Sequence, residues 1–386
     1  MYDVVIIGGG VVGSSIAYHL TRAGRADRVC VVEPDPTYEF ASTPRAVGGV
    51  RRLFSLPENI AMSRYSVDVY RDFERLMAVG GEPAPIGFRR GGYLFLYPPE
   101  QAGVLELNFE TQRSLGCPVE LLDRDGLKRR FPSLGLDDVA GGCHSPEDGW
   151  VDPYSALLGF RRKAQSQGAV YLEDRVVGFE VSGRKVSAVS LEKGGRLGAR
   201  AVVNAAGAWA PEICRMVGMR LPVEPLRRMA YYFETRAEIE PLPLTKDLSG
   251  LFFKPEGAGF VGGLPNMAEA AGFNFELDHG YFDRVVWPSL ARRVPAFAAA
   301  KLQRGWAGLY DQNRLDGNAI IGPWTGGLEN FHVACGFSGH GLMHAPAVGL
   351  AMCELLLDGR FSTIDLSRLG YQRVIDGTPL PEQGII

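Results

Sequence analysis

Residues 2–7, "YDVVII", are apolar or β-branched almost without a break. Such a run reads as a strand buried on both faces. "SSIAYHLTRAG" (14–24) changes to helical spacing and closes near Gly24. "RVCVV" (28–32) returns to the strand pattern, with Glu33 at its tip. Strand, helix, strand is the opening of a doubly wound α/β unit. Further along, "GAVYLEDRVVGFEV" (168–181) and "GRKVSAVSLEKG" (183–194) read as consecutive strands with turns between them. "AVVNAAGAW" (201–209) is a strand running into small residues. "GGYLFLYP" (91–98), "RRMAYYFE" (227–234), "LFFKPEG" (251–257) and "AGFVGGLP" (258–265) predict a second, sheet-rich region. Helical spacing predicts helices over 57–79 and 155–168, and "AVGLAMCELLL" (347–357) as a buried helix. Pro346 fits the first turn of that last helix, and Gly359 lies just past its end. The expected organisation is a nucleotide-binding domain (1–80, 150–215 and 331–386) interleaved with a mixed-sheet domain (81–149 and 216–330).

The turn between the first strand and helix is "GGGVVG", in which Gly8, Gly10 and Gly13 fit G-x-G-x-x-G around Val11 and Val12. Gly8 allows the tight turn, Gly10 lets backbone approach a pyrophosphate, and Gly13 lets helix pack on strand. The helix N-terminus offers free N–H groups to the diphosphate. Glu33, twenty residues past Gly13, can accept from a ribose diol and would repel a 2′-phosphate. The acid argues against NADP and does not separate NAD from FAD.

Composition narrows the picture. The 386 residues call for two domains, and 46% hydrophobic with 22% charged residues fits a large core. A net charge of −3 without long basic runs gives no footprint for nucleic acid. The six cysteines, without a CxxC pair, read as reduced and buried thiols. No signal segment precedes the first strand, so a cytoplasmic location is expected. No apolar run approaches the roughly 20 residues of a membrane span.

With "GGGVVG", "VVE", "VNAAGAW" and "GFSGHG" in this order, the chain resembles the D-amino-acid-oxidase-like FAD-dependent oxidoreductases. That superfamily includes sarcosine oxidase, glycine oxidase and dimethylglycine dehydrogenase. "ASTPRAVGGVRRLFSLPENI" (41–60), "KLQRGWAGLYDQNRLDGNAIIGP" (301–323), "GFSGHGLMHAPAVG" (336–349) and "GRFSTIDLS" (359–367) resemble a branch linked to assembly of a respiratory complex. The resemblance implies an α/β FAD-binding domain of Rossmann type, an α+β substrate domain, and a cavity between them. It implies diphosphate contacts at Gly8, Gly10, Val11, Val12 and Gly13, and a ribose contact at Glu33. Ser42, Thr43, Gly48 and Gly49 match the loop that runs towards the flavin. Val177 matches a backbone contact to the adenine, and Ala206, Gly207 and Trp209 a second nucleotide contact. Gly336, Gly339, His340, Gly341 and Leu342 match the segment at the flavin's pyrimidine end.

The departures shape the expected chemistry. Sarcosine oxidases hold FAD through a cysteine two residues before a tyrosine; here Gly308 precedes Tyr310, which implies non-covalent FAD. Where those oxidases keep a carboxylate-binding lysine, this chain has Met343, and a second lysine of theirs falls near Asn274. The implied reaction is oxidation of a secondary or tertiary amine, an N-substituted amino acid, by hydride transfer to flavin N5. Oxygen, a quinone or an electron-transfer flavoprotein would be the acceptor. Alternatives are a flavoprotein acting mainly in assembly of a partner complex, and a 2-hydroxy-acid dehydrogenase on the same fold. His340, Arg51 and Tyr310 are the expected catalytic residues. Arg52 is the alternative to Arg51, and strand alternation allows only one of Arg227 and Arg228 to point inward. Trp306 and Trp209 are expected mainly to pack, and His279 to sit in a turn. A metal at His340 and His344 would need a third ligand, and neither HExxH nor a carboxylate is present in that stretch, so no metal is expected.

Overall fold

The computed structural model describes residues 1–247 and 249–384. Its first sheet runs in the order Ile320–Pro323, Phe331–Cys335, Arg196–Asn204, Tyr2–Ile7, Val29–Glu33, Val170–Glu173. Tyr2–Ile7 is parallel to both neighbours, and Val4, Val5, Ile6 and Ile7 are buried. That is why the opening run carries no polar alternation: helices cover one face and a meander covers the other. Val176–Ser182 and Lys185–Leu191 form that meander, antiparallel onto Arg196–Asn204. On the opposite face the helices Val11–Ala23, Pro57–Arg71, Pro153–Ser166 and Gly341–Asp358 share one core.

The second sheet runs Lys301–Asn313, Val223–Glu234, Gly259–Gly263, Phe252–Glu256, Leu244–Asp247, Tyr93–Tyr97, Gly141–Ser145, Glu120–Asp123. Only Leu244–Asp247 with Tyr93–Tyr97 is parallel. All five residues of Tyr93–Tyr97 are buried because both faces are used. Tyr93, Phe95 and Tyr97 join the core of the first domain, while Leu94 and Leu96 join a separate cluster with Phe233, Phe253 and Phe297. Alternation along one strand therefore ties the two sheets together.

Three expectations change. Ile320–Pro323 pairs with Phe331–Cys335, so the domain limit expected at 330 falls before Ile320. The helix over 57–79 ends at Arg71, followed by a separate turn at Phe73–Leu76. The helix expected to begin near Pro346 begins at Gly341, which leaves Pro346 inside it. Proline removes one i→i−4 bond, freeing the Leu342 carbonyl. The Tyr70 hydroxyl donates to that carbonyl at 2.6 Å. This helix, Gly341–Asp358, is the one described helix long and apolar enough to cross a membrane, with mean hydropathy 1.2, and 61% of it is buried in the core.

Candidate active site

A cavity of about 680 Å³ runs between the two sheets. One end lies at the first βα turn. Gly8 adopts φ 98°, and a Cβ there would meet the Ala205 carbonyl at 2.6 Å. A Cβ on Gly13 would lie 1.9 Å from the Gly8 carbonyl oxygen, so helix and strand meet only through glycine. Gly10 is the N-cap of Val11–Ala23 and offers no side-chain cap. Gly10, Val11 and Val12 line the cavity beside Glu33, which accepts from the Gly9 N–H (2.8 Å) and the Asp35 N–H (3.0 Å). Burial raises the Glu33 carboxyl above its usual value. Ser42 and Thr43 also line this stretch, and the Thr43 hydroxyl accepts from the Val11 N–H at 3.3 Å.

The chain then turns under the second sheet. Gly48 (φ 90°) and Gly49 line the cavity, and Gly49–Val50 pairs with Gly149–Trp150. This pairing delivers Arg51 and Arg52 to opposite environments. Arg52 turns away: its backbone N–H and its guanidinium both donate to Asp148, at 2.7 and 3.0 Å. Burial raises the Asp148 carboxyl to about 6 against the pull of Arg52. Arg51 is 2% exposed, donates to the Tyr93 hydroxyl at 3.2 Å, and lies 3.2 Å from His340 Nε2. Its guanidinium sits 4.6 Å from the Phe54 ring centre and 4.9 Å from that of Phe95, a cation–π environment. Its Nε has no partner. Burial, then Arg51, holds the His340 imidazole well below its ordinary value. A neutral ring beside an obligate donor accepts through Nε2, so the proton sits on Nδ1.

Tyr310 forms another wall. The Arg228 guanidinium lies 5.2 Å from its ring centre. Gly339 (φ 97°) packs against that ring so closely that a Cβ would approach it to 2.4 Å. The preceding Ser338 is held at φ 51°, a conformation non-glycine residues rarely adopt. The turn is anchored by Asp311, which accepts from the Gly336 and Phe337 N–H groups at 2.7 and 3.1 Å. His340 is the N-cap of Gly341–Asp358 and provides no side-chain cap. Gly341, Leu342 and Met343 line the cavity, so this second helix start also opens onto it.

The remaining expected residues divide clearly. Ala206, Gly207 and Trp209 line the cavity, and Trp209 also packs against Phe273. Gly13 lies beneath the turn and does not line it. The Val177 side chain is exposed and its strand neighbour Val176 lines the cavity; the adenine contact expected of Val177 is through its backbone. Gly336 does not line it either; it holds the turn against Asp311. Arg227 is bound by Glu269 at 2.8 and 2.9 Å, which makes Arg228 the inward member of that pair. His344 is buried 3.0 Å from the Ser63 hydroxyl and takes no part in the lining. Trp306 donates to the Arg45 carbonyl, and Asn274 lies outside the cavity. No group of acids, histidines and cysteines able to hold a metal occurs among the described residues.

Sequence reasoning missed Lys246. It sits on the short strand Leu244–Asp247, in register with Phe95, and lines the cavity. Burial and then the charges of Arg51 and Arg228 hold its ammonium well below the usual value. Its strand is four residues long and carries no strong apolar pattern, so nothing local marks its position.

The arrangement fits an extended dinucleotide. Two helix starts open on one cavity, an acid marks one end, and basic residues mark the other, Arg51 buried and Arg228 and Lys246 half-buried. A family model described as "FAD dependent oxidoreductase" matches residues 3–355. FAD-dependent oxidoreductase domain-containing protein 1 of Xenopus laevis is 39% identical, covering 100% of this chain and 85% of that protein. Human mitochondrial dimethylglycine dehydrogenase is 28% identical, covering 96% of this chain and 44% of its own length. The crystal structure of L-proline dehydrogenase from P. horikoshii superposes with a TM-score of 0.88 at 28% identity, covering 98% and 99% of the two chains.

Proposed function

Since the chain belongs to the DAO family of FAD-dependent oxidoreductases, we propose that it oxidises an amine of the N-substituted amino-acid class, with dissociable FAD. The observation behind this reading is the cationic end of the cavity. Arg51, Arg228 and Lys246 line it, and among the described residues neither arginine has a carboxylate in ion-pairing range. Buried charge of one sign calls for a counter-ion, and an amino-acid carboxylate supplies it. Dimethylglycine and proline, named in two relatives, are both N-substituted amino acids.

When bound, FAD supplies a hydride acceptor at N5. The residues prepare the substrate. Positive charge at Arg51 and Arg228 disfavours a protonated substrate nitrogen, and only the free base has the lone pair that expels hydride. The Tyr93 and Tyr310 rings narrow the space and limit water. His340 holds Arg51 in place and, being neutral, adds no competing charge. The opening of Gly341–Asp358 presents N–H dipoles to an electron-rich group. The thiols support dissociable FAD: all six cysteines are buried, and none lines the cavity. Oxygen, a quinone or an electron-transfer flavoprotein would take the electrons.

Anaerobic mixing of the FAD-loaded protein with N-methyl amino acids, proline and 2-hydroxy acids tests the reading. An amine should bleach the visible flavin band, and acid precipitation should leave FAD in the supernatant. Bleaching by hydroxy acids alone would overturn it.

A further inference from the structure

Between the strand Gly49–Val50 and the helix Pro57–Arg71, residues 51–56 belong to no strand or helix. This stretch carries Arg51 to the cavity, so whatever fixes it also fixes Arg51. Its first half is held by Arg52 on Asp148. Phe54 is fully buried; its ring centre lies 4.6 Å from the Arg51 guanidinium and 5.1 Å from that of the His340 ring. The Phe54 carbonyl accepts from the Gln112 amide at 2.9 Å. The second half of the stretch ends on Glu382. That carboxylate accepts from the Ser55 N–H, the Ser55 hydroxyl, the Leu56 N–H and the Asn59 amide.

Glu382 is itself placed by the chain on either side of it. The Leu380 N–H donates to Asp316 at 3.1 Å, and the Leu380 carbonyl accepts from the Asn318 amide at 2.6 Å. The Gln383 N–H donates to the Ser55 hydroxyl at 2.8 Å, and the Gln383 carbonyl accepts from the Asn108 amide at 2.7 Å. The Tyr97 hydroxyl donates to the Gly384 carbonyl at 3.2 Å. Asp316 and Asn318 follow the strand Lys301–Asn313, whereas Tyr97 and Asn108 belong to Tyr93–Tyr97 and to the helix Ala102–Ser114. Residues 380–384 thus strap several elements together, and Glu382 lines the cavity with Arg51. A carboxylate suits this place. The four groups bound to it are all donors, and it stands at the start of Pro57–Arg71, whose N-cap Leu56 offers no side-chain cap. With its oxygens engaged by those donors, its path to Arg51 runs through Ser55 and Phe54.

We infer that Glu382 is a positioning residue for substrate binding. By fixing Ser55 and Leu56 it keeps Phe54 against His340 and holds Arg51 where the substrate carboxylate binds. The inference rests on the amine-oxidation reading for Arg51 as the carboxylate's partner.

The test is a double-mutant cycle on the FAD-loaded protein, with propionate titrated at fixed ionic strength and followed by the flavin's visible absorbance. Glu382 is an acid on the cavity wall, so by charge alone its removal would tighten an anion. Positioning predicts the reverse. Glu382→Ala should weaken propionate about ten-fold and change FAD affinity by no more than about three-fold; in an Arg51→Met background it should weaken propionate by less than about two-fold. Glu382→Gln keeps one acceptor oxygen and should fall between wild type and Glu382→Ala; it carries the test if Glu382→Ala does not fold. Propionate bound as well or better by the Glu382 variants, or equal weakening with and without Arg51, would overturn the inference. An Arg51→Met variant that binds propionate like the wild type would instead sink the carboxylate reading. The ring-nitrogen NMR resonances of His340 then decide: the Glu382 variants should shift them in the direction that Arg51→Met does, and unmoved resonances would remove Glu382 as a positioning residue.

Discussion

Arg51 and Arg52 are neighbours with opposite tasks. One is bound by Asp148 and fixes the loop; the other stands in the cavity without an acid. A sequence shows two arginines after paired glycines and cannot say which turns inward, because that depends on the bridge to Gly149–Trp150. Histidines divide in a similar way. His344 and His19 are buried, and burial pushes each down to about 3. Their unfolded values lie near 6.5, so the unfolded chain takes up protons first as the pH falls. Their contribution to stability is complete above about 6.5 and is lost between there and about 3. Asp148 and Asp311, raised by burial to about 6, act with the opposite sign, favouring the fold as the pH falls from about 6 to 4. The histidine shifts are wider, so the denaturant midpoint should fall between pH 7 and pH 4. His344→Gln should flatten that fall; an unchanged slope would remove His344 from the account.

At the scale of elements, the most informative departure is the helix Gly341–Asp358. Proline statistics place Pro346 in a first turn, yet the helix starts five residues earlier. The cost of an interior proline is met by another element: Tyr70, on Pro57–Arg71, donates to the Leu342 carbonyl that Pro346 leaves open. That compensation is tertiary and invisible in local sequence. Gly349 on the same helix lies so close to Val11–Ala23 that a Cβ would meet the Ser15 hydroxyl at 2.2 Å. The two helices whose starts face the cavity are thereby locked together. Tyr70→Phe strands the Leu342 carbonyl in the core and should cost roughly 1–3 kcal/mol in denaturant unfolding. A change within error would show that the proline is tolerated without this bond. The start of Pro57–Arg71 has an unusual cap: the Glu382 carboxylate accepts from the Ser55 and Leu56 N–H groups, more than three hundred residues away in sequence.

At the scale of the whole molecule, the nucleotide half was legible in its strands and its turn, while the second sheet was legible as strands and not in their register. The buried parallel strands, the glycine turn and Glu33 announce themselves because each obeys a local rule. The second sheet owes its function to register. Lys246 matters because parallel pairing sets it beside Phe95, and Arg228 because Arg227 is bound by Glu269. No local pattern encodes such cross-strand neighbours. They nonetheless bring basic side chains to one end of the cavity. The most direct measurement is the anaerobic rate of flavin reduction by a reactive N-methyl amino acid, set against that of its neutral carboxamide. Reduction should be about a hundred-fold slower for the amide, because the arginines of the cavity lose their counter-ion, and the gap should narrow in Arg51→Met. Equal rates for acid and amide in the wild-type protein would contradict it.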